Sequence, residues 1–264
     1  MRVLKNVMLG SDPELFIINK NTGNVVSSIG IIPGEKGNAY RSPDMPKGYG
    51  LQIDNILAEF NIPPTKKKIE FVNSMNYMKE YIRNYVKKIN PDLDIMNASS
   101  AYVDDSQLQS DEAKLFGCSV DYNAYTQKEN PKPEGEKTNL RSSGIHIHCS
   151  YDKPNVQTSL ELIKYFDMYL GIPSVVLDPD NERRKLYGKA GCFRLCKYGF
   201  EYRSLGGYFL RNDDMIKFMW DGAAKAINAY KEGVLRIDEE LVQNVINNND
   251  IEKAKELIDK YNLM

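Results

Sequence analysis

Two hydrophobic periods alternate along the chain and predict its elements. ELFII at 14–18 reads as a strand, NKNTG as a turn and VVSSI as the returning strand of a hairpin. Residues 51–62 hold a further strand around LAEFNI, and GIHIHCS at 144–150 and GFEYRSL at 199–205 are short strands of alternating character. Residues 66–89 switch to a helical repeat, with Ile69, Phe71, Val72, Met75, Met78, Ile82, Tyr85, Val86 and Ile89 as the apolar stripe. A second helix covers 155–170, with PSVVLD continuing its packing. From residue 212 the chain reads as an amphipathic helix to about 231 and then two shorter helices.

The segments between these are polar or rich in Gly and Pro. Residues 30–50 read as an extended loop, and GIIPGEKG there lacks the GK[ST] ending of a phosphate loop. Residues 93–125 combine a strand with a short helix near DEAKLF. TQKENPKPEGEKTN, 126–139, has no apolar period and reads as a mobile loop, either a lid or a neutral excursion. Strands and helices separated by long gaps lack the tight βαβ rhythm of a doubly wound sheet. The expected class is α+β: a mainly antiparallel curved sheet, helices packed on its outer face, and a helical C-terminal tail. Residues 1–211 form the expected main domain, and 212–264 an extension packed on it.

Four strands carry charged or imidazole side chains at alternating positions, which places them on one face of each strand. SDPELF presents Asp12 and Glu14. DNILAEFN presents Glu59 and Asn61, with Asp54 upstream. RSSGIHIHCSY presents His146 and His148, the 2 histidines of the whole chain, opposite Ile145, Ile147 and Cys149. CKYGFEYRSLGG presents Glu201 and Arg203. DPDNERRKLYGKAGCFR, just before it, is dense in Arg183, Arg184, Lys189 and Arg194. A charge run is ordinarily a solvated face, but Gly188, Gly191 and Cys192-Phe193 open a route for Lys189 and Arg194 to turn inward. Carboxylates with one or two imidazoles suit a hard divalent cation such as Mg²⁺ or Mn²⁺. Adjacent Arg and Lys suit phosphate. Together they describe phosphoryl transfer from a nucleotide.

Bulk composition narrows the partners. Lys and Arg number 35 against 36 Asp and Glu, and the net charge of -1 argues against a nucleic-acid or membrane-surface protein. No run of about 18 apolar residues spans a bilayer, and MRVLKNVMLGSDPE does not build a signal peptide. A cytoplasmic protein is expected, with its 4 cysteines reduced. Cys192 and Cys196 are four apart and would approach each other on a helix. With His148 and Cys149 they leave a zinc site open as a minor alternative, against buried thiols as the plain one.

The strand motifs resemble a known family. SSGIHIHCS is similar to the His-x-His strand of glutamine synthetases. Asp12-Pro-Glu14 resembles the Glu-x-Glu strand that opens their catalytic domain, and Glu201-Tyr-Arg203 resembles their late Glu-x-Arg strand. Glutamate–cysteine ligases share the order. The closest resemblance is to the phage carboxylate–amine ligase family, type 2, through Gly10 to Glu14, Asp54 to Asn61 and Tyr198 to Arg203.

The resemblance implies a glutamine synthetase-like catalytic domain using ATP and Mg²⁺ (or Mn²⁺). It implies cation ligation by Asp12, Glu14, Glu59, His146 and Glu201, and phosphate contact by His148, with Lys189 and Arg194 secondary. Arg203 would hold the acyl phosphate or the substrate carboxylate, and Glu59 and Arg194 join it as catalytic groups. The substrates would be a small-molecule or peptide carboxylate and an amine. No membrane or nucleic-acid partner is expected; monomer and dimer are both open, in a host cytoplasm if the protein is phage-encoded. The chain departs from the pattern in three places. Asp12 replaces the first Glu, one Glu and Asn61 replace two spaced Glu residues, and Gly199 replaces an Arg two before Glu201. These leave an inactive nucleotide- or metal-binding module of the same fold as the alternative, beside a guanidino kinase-like phosphotransferase.

Overall fold

The computed structural model describes residues 2–114, 121–131, 138–234 and 237–264. Cys118, the end of the DEAKLF helix and the middle of the 126–139 loop lie outside them.

The first strand, β1 (Met8–Asn19), is the centre of the sheet. It runs antiparallel to β4 (Leu57–Thr65) on one side and to β9 (Gly144–Ser150) on the other. Its far end pairs with β2 (Val25–Val26), which completes the expected hairpin, and with β5 (Leu93–Met96). Outward from β4 lies β3 (Gly50–Asp54). Outward from β9 come β11 (Gly199–Gly206), β10 (Cys192–Cys196) and the short β7 (Tyr122–Asn123). These pairings are antiparallel, and the sheet stays open. A separate ribbon joins β6 (Ser100–Tyr102) to β8 (Leu140–Ser142).

Two strands differ from expectation. β3 begins where the segment read as loop ends, and the 51–62 stretch, read as one strand around LAEFNI, holds two. β3 pairs with β4 through a tight turn in which Asn55 adopts φ 54°, a left-handed conformation that Asn tolerates. β10 holds Cys192 and Cys196 on an extended strand, not a helix. Four residues of strand separate their Cα atoms by about 13 Å, so the proposed approach of the two thiols does not occur.

The apolar face of the sheet buries Ile145, Ile147, Cys149, Phe200 and Tyr202. The helices α1 (Lys68–Ile89), α3 (Val156–Phe166) and α6 (Asp213–Glu232) share the core with that face. Phe166 packs edge-on against Phe200 at 5.2 Å and Tyr202 at 5.5 Å between ring centres, geometry that aromatic pairs prefer. Phe71 of α1 meets Trp220 of α6 at 5.5 Å. Ile69 and Ile89, at the two ends of the α1 stripe, project to solvent because the helix overhangs the sheet. α3 starts on the Asn155 cap, whose side chain accepts from Thr158 N. It runs through a π-helical turn at Asp167–Gly171 into α4 (Ile172–Leu177). Three short or late helices follow: α5 (Arg183–Leu186), α7 (Glu239–Asn247) and α8 (Ile251–Tyr261). No helix among the described residues is long and apolar enough to cross a membrane.

Candidate active site

Strand register assembles the polar face. Asp12 pairs with His146 across β1 and β9, Glu14 with Glu59 across β1 and β4, His148 with Glu201 across β9 and β11, and Arg194 with Glu201 across β10 and β11. Directly paired residues of an antiparallel ladder point to the same side. The six residues expected on this face (Asp12, Glu14, Glu59, His146, Glu201 and Arg203) therefore do share it. Arg203 lies at a bulge in β11 between Tyr202 and Leu205, and its Nη1 reaches His146 Nδ1 at 3.2 Å. Loops cover the face, so Glu14, His146 and Glu201 are each only 6% exposed.

The ligand-bearing side chains fall into two groups. In each, one ligand atom per residue lies within 4.8 Å of the others. The first is Asp12, His146 and Glu201; the second is Glu14, Asp54 and Glu59. A six-coordinate cation with ligands at about 2.1 Å spaces its ligand atoms about 3 to 4.2 Å apart, so a slight contraction of either group suffices. Asp54 was not among the expected ligands. It reaches the site because β3, unseen in the sequence, pairs with β4, and Lys36 donates to its Oδ1 at 2.9 Å.

The first group carries a further sign of fit. Asp12 Oδ1 lies 3.0 Å from His146 Nδ1 and 2.9 Å from His148 Nε2. Yet Asp12 Oδ1 and His148 Nε2 are both buried without a properly directed hydrogen bond. Orphaned buried atoms of this kind are expensive, and a cation among them would satisfy both. The two imidazoles bear on one oxygen and differ in exposure: the side chain of His146 is 7% exposed and that of His148 22%. Tyr198 hydroxyl lies 2.8 Å from His148 Nδ1 and its ring stacks on the imidazole, which fixes the ring plane.

Electrostatics separate the acids. Burial pushes the Asp12 carboxyl up, but His148 and His146 outweigh it and hold it well below the usual range. Burial and the Asp12 charge likewise push Glu201 up, and His146, His148 and Arg194 bring it below its ordinary value. Burial raises Glu14, and the Asp54 charge adds to this despite the Gly144 N–H donating to its Oε2 at 2.7 Å. Glu59 is raised furthest above its ordinary range, by burial and then by the charges of Asp12, Glu14 and Asp54. Burial opposes protonation of His148, and the Asp12 charge reverses that, raising it. The second group thus gathers three carboxylates, with Lys36 paired to Asp54 and with His146 and Arg203 drawing Glu14 back toward the ionised form.

Guanidinium groups border the acids. Arg194 holds Glu201 Oε2 through Nη2 at 2.7 Å and Nε at 2.8 Å, and Arg203 Nη1 reaches the same oxygen at 3.0 Å. Arg203 Nη1 also lies 3.2 Å from His146 Nδ1. The family's Arg two before Glu201 has no room here. Gly199 sits at φ +150°, and a Cβ there would lie 2.0 Å from the Cys149 carbonyl oxygen. The guanidinium beside Glu201 comes instead from β10. Lys189 does not join the site: its Nζ donates to the Asn247 carbonyl at 3.3 Å, toward the end of α7. Asn61 also turns away, donating to Gly48 O at 2.9 Å and tying down the loop before β3.

Beside the second group lies a cavity of about 40 Å³, room for about three waters. Glu14, Asp54, His146, Arg141, Arg183 and Arg203 are among its lining residues. Arg141 and Arg183 were legible only as members of charged stretches. No local period distinguishes an inward arginine from a solvated one.

The sheet face thus sets two cation-sized ligand groups and several guanidinium groups close to one cavity. Residues 136–250 match the family model described as Phage phiEco32-like COOH.NH2 ligase-type 2. Over that stretch the chain is similar to this ligase family, which its strand motifs also resemble. The stretch carries His146, His148, Arg183, Arg194, Glu201 and Arg203; Asp12, Glu14, Asp54 and Glu59 join them through strand pairing. No curated protein matches the chain.

Proposed function

We propose that the protein is an ATP-dependent carboxylate–amine ligase that forms an amide bond through an acyl phosphate. One observation carries this reading. Two groups of cation ligands lie side by side on one sheet face, beside a cavity bordered by arginines, in a chain that matches a ligase family model over residues 136–250.

Mg²⁺ or Mn²⁺ would be held by Asp12, His146 and Glu201 and by Glu14, Asp54 and Glu59, and would supply neutralisation of phosphate charge. The residues of the chain then divide the remaining work. His148, the more open imidazole, stands at the edge of the first group where it can meet the phosphates of ATP. Arg194 and Arg203 clamp Glu201 in one rotamer and set positive charge against the transferring group. The substrate carboxylate attacks the γ-phosphorus, ADP leaves, and an acyl phosphate remains. The amine attacks the acyl carbon, the C–O bond to phosphate breaks, and a carboxylate takes the proton lost by nitrogen. Glu59, a carboxylate of the same acid group, is the candidate for that proton. Preorganised charge of this kind is commonly the largest contribution to such catalysis.

The test is substrate-dependent ADP release with Mg-ATP and a panel of carboxylic acids and amines, with the amide identified by mass spectrometry. Glu14→Ala, His146→Ala and Glu201→Ala should each abolish it. Undiminished turnover in all three variants would sink the assignment.

A further inference from the structure

Arg183 borders the cavity, and no acidic side chain among the described residues forms an ion pair with its guanidinium. It is 5% exposed. Its Nε donates to the Ser143 carbonyl at 3.0 Å, and its backbone N–H donates to Asp180 Oδ1 at 3.1 Å. Its Nη1 is buried without a hydrogen-bond partner. A buried, always-charged guanidinium without an anion is costly, and natural proteins keep one where an anion arrives. Arg203, by contrast, is engaged by Glu201 and His146, and Arg141 donates to the carbonyls of Thr138, Leu140 and Ala113.

The space beside Arg183 has a defined chemistry. The point where a Cβ on Gly144 would stand lies 3.1 Å from Arg183 Nη2, 3.3 Å from His146 Nε2 and 3.6 Å from Glu14 Oε2. The absent side chain of Gly144 is what keeps that point open. The cavity is lined by Glu14 of β1, Asp54 of β3, Asp121 and, from α5, Arg183. With a volume of about 40 Å³ it admits one small oxyanion group and not a sugar or a base.

We infer that Arg183 is the seat of a single oxyanion group, held by its guanidinium, with a divalent cation on the acid group of Glu14, Asp54 and Glu59 offsetting the carboxylate charge that faces it. A planar fork matches a carboxylate or one edge of a phosphoryl group with two parallel hydrogen bonds. On the ligase reading above, on which the identity of the occupant rests, the group is the substrate carboxylate or the phosphoryl group it receives. Only that end of the acid enters; the rest of the molecule stays outside the cavity.

The test uses the whole chain with Mg²⁺ and no nucleotide, titrated calorimetrically with inorganic phosphate in one arm and acetate in the other. The expected result is saturable binding in at least one arm, weakened ten-fold or more in Arg183→Gln. The tighter arm tells whether the seat is phosphoryl or carboxylate. Circular dichroism and thermal unfolding check that the variant is folded. If Arg183→Gln does not fold, Arg183→Lys takes its place, which keeps the charge and loses the fork, and weakening of several-fold is expected. The inference is overturned if the wild-type chain binds neither anion, or if the folded variant binds as the wild type does. Because no turnover is involved, absence of amide formation with anion binding intact would count against the ligase reading and leave the seat standing.

Discussion

Asp12 and His146 face each other across the ladder between β1 and β9, with Asp12 Oδ1 3.0 Å from His146 Nδ1 and the same oxygen 2.9 Å from His148. Three ligand-bearing side chains thus converge where none makes a well-directed bond to another. A divalent cation should therefore stabilise the fold. At a hundred-fold excess over Kd the gain is about 2.7 kcal/mol, or roughly 5 to 10 °C in Tm for a chain of this size. Thermal unfolding with Mn²⁺ and with EDTA measures it, and Asp12→Asn should erase most of the difference.

The same relationship fixes a pH dependence. Burial opposes protonation of His148, but the Asp12 charge raises its titration above the ordinary 6.5. A protonated imidazole repels a cation and offers it no lone pair. Mn²⁺ affinity should fall as pH is lowered through a titration that lies above 6.5 and level off at higher pH. A flat profile from pH 6 to 9 by calorimetry would contradict this.

Glu59 sets stability against function. Burial and the charges of Asp12, Glu14 and Asp54 raise its carboxyl well above 4.5. Without cations, the folded state holds a proton that the unfolded chain releases above about pH 4.5, so raising the pH through that interval costs stability. Glu59→Gln removes the charge and should raise Tm in EDTA by a few degrees at pH 8, on the order of 1 kcal/mol. The cation-induced rise in Tm should shrink in the same variant.

Two glycines should respond differently to alanine. At Gly144 a methyl has ordinary backbone angles and fills the open point beside Arg183, His146 and Glu14. Gly144→Ala should keep the fold and lose ten-fold or more in affinity for phosphate. At Gly199 the φ of +150° and the 2.0 Å approach to Cys149 O leave no place for a methyl. Gly199→Ala should break the β9–β11 pairing, with a loss of roughly 3 kcal/mol or more. Soluble yield and urea unfolding tell the two apart.

Asp167, on the apolar side of the sheet, accepts from Tyr202 at 2.7 Å, Tyr125 at 2.9 Å and the Gly191 N–H at 2.6 Å. Burial still pushes its carboxyl up to about 7, against the pull of these donors. Its folded-state titration lies above the unfolded one, so its contribution to stability is greatest below about pH 4 and is lost as pH rises toward 7. Asp167→Asn does not titrate. The stability of the wild-type chain minus that of Asp167→Asn, from urea midpoints, should therefore decrease between pH 5 and 8.

The sequence by itself determined which side of each strand the chemistry occupies. A period of two is a property of the extended backbone, so His146 and His148 opposite Ile145, Ile147 and Cys149 was legible without any partner strand. The helical stripes of α1, α3 and α6 were legible for the same local reason, although α1 is apolar beyond the part that packs. Tertiary structure decided which strands lie together and in what register. Asp54 became part of the acid group only because β3 pairs with β4, and Arg194 reached Glu201 only across β10. Lys189 and Arg183 sit six residues apart in one charged run, and the fold sent one to the end of α7 and the other into the cavity. Charge patterning records that a side chain is costly to bury; it does not record whether a partner will be waiting, because the partner comes from a distant part of the chain.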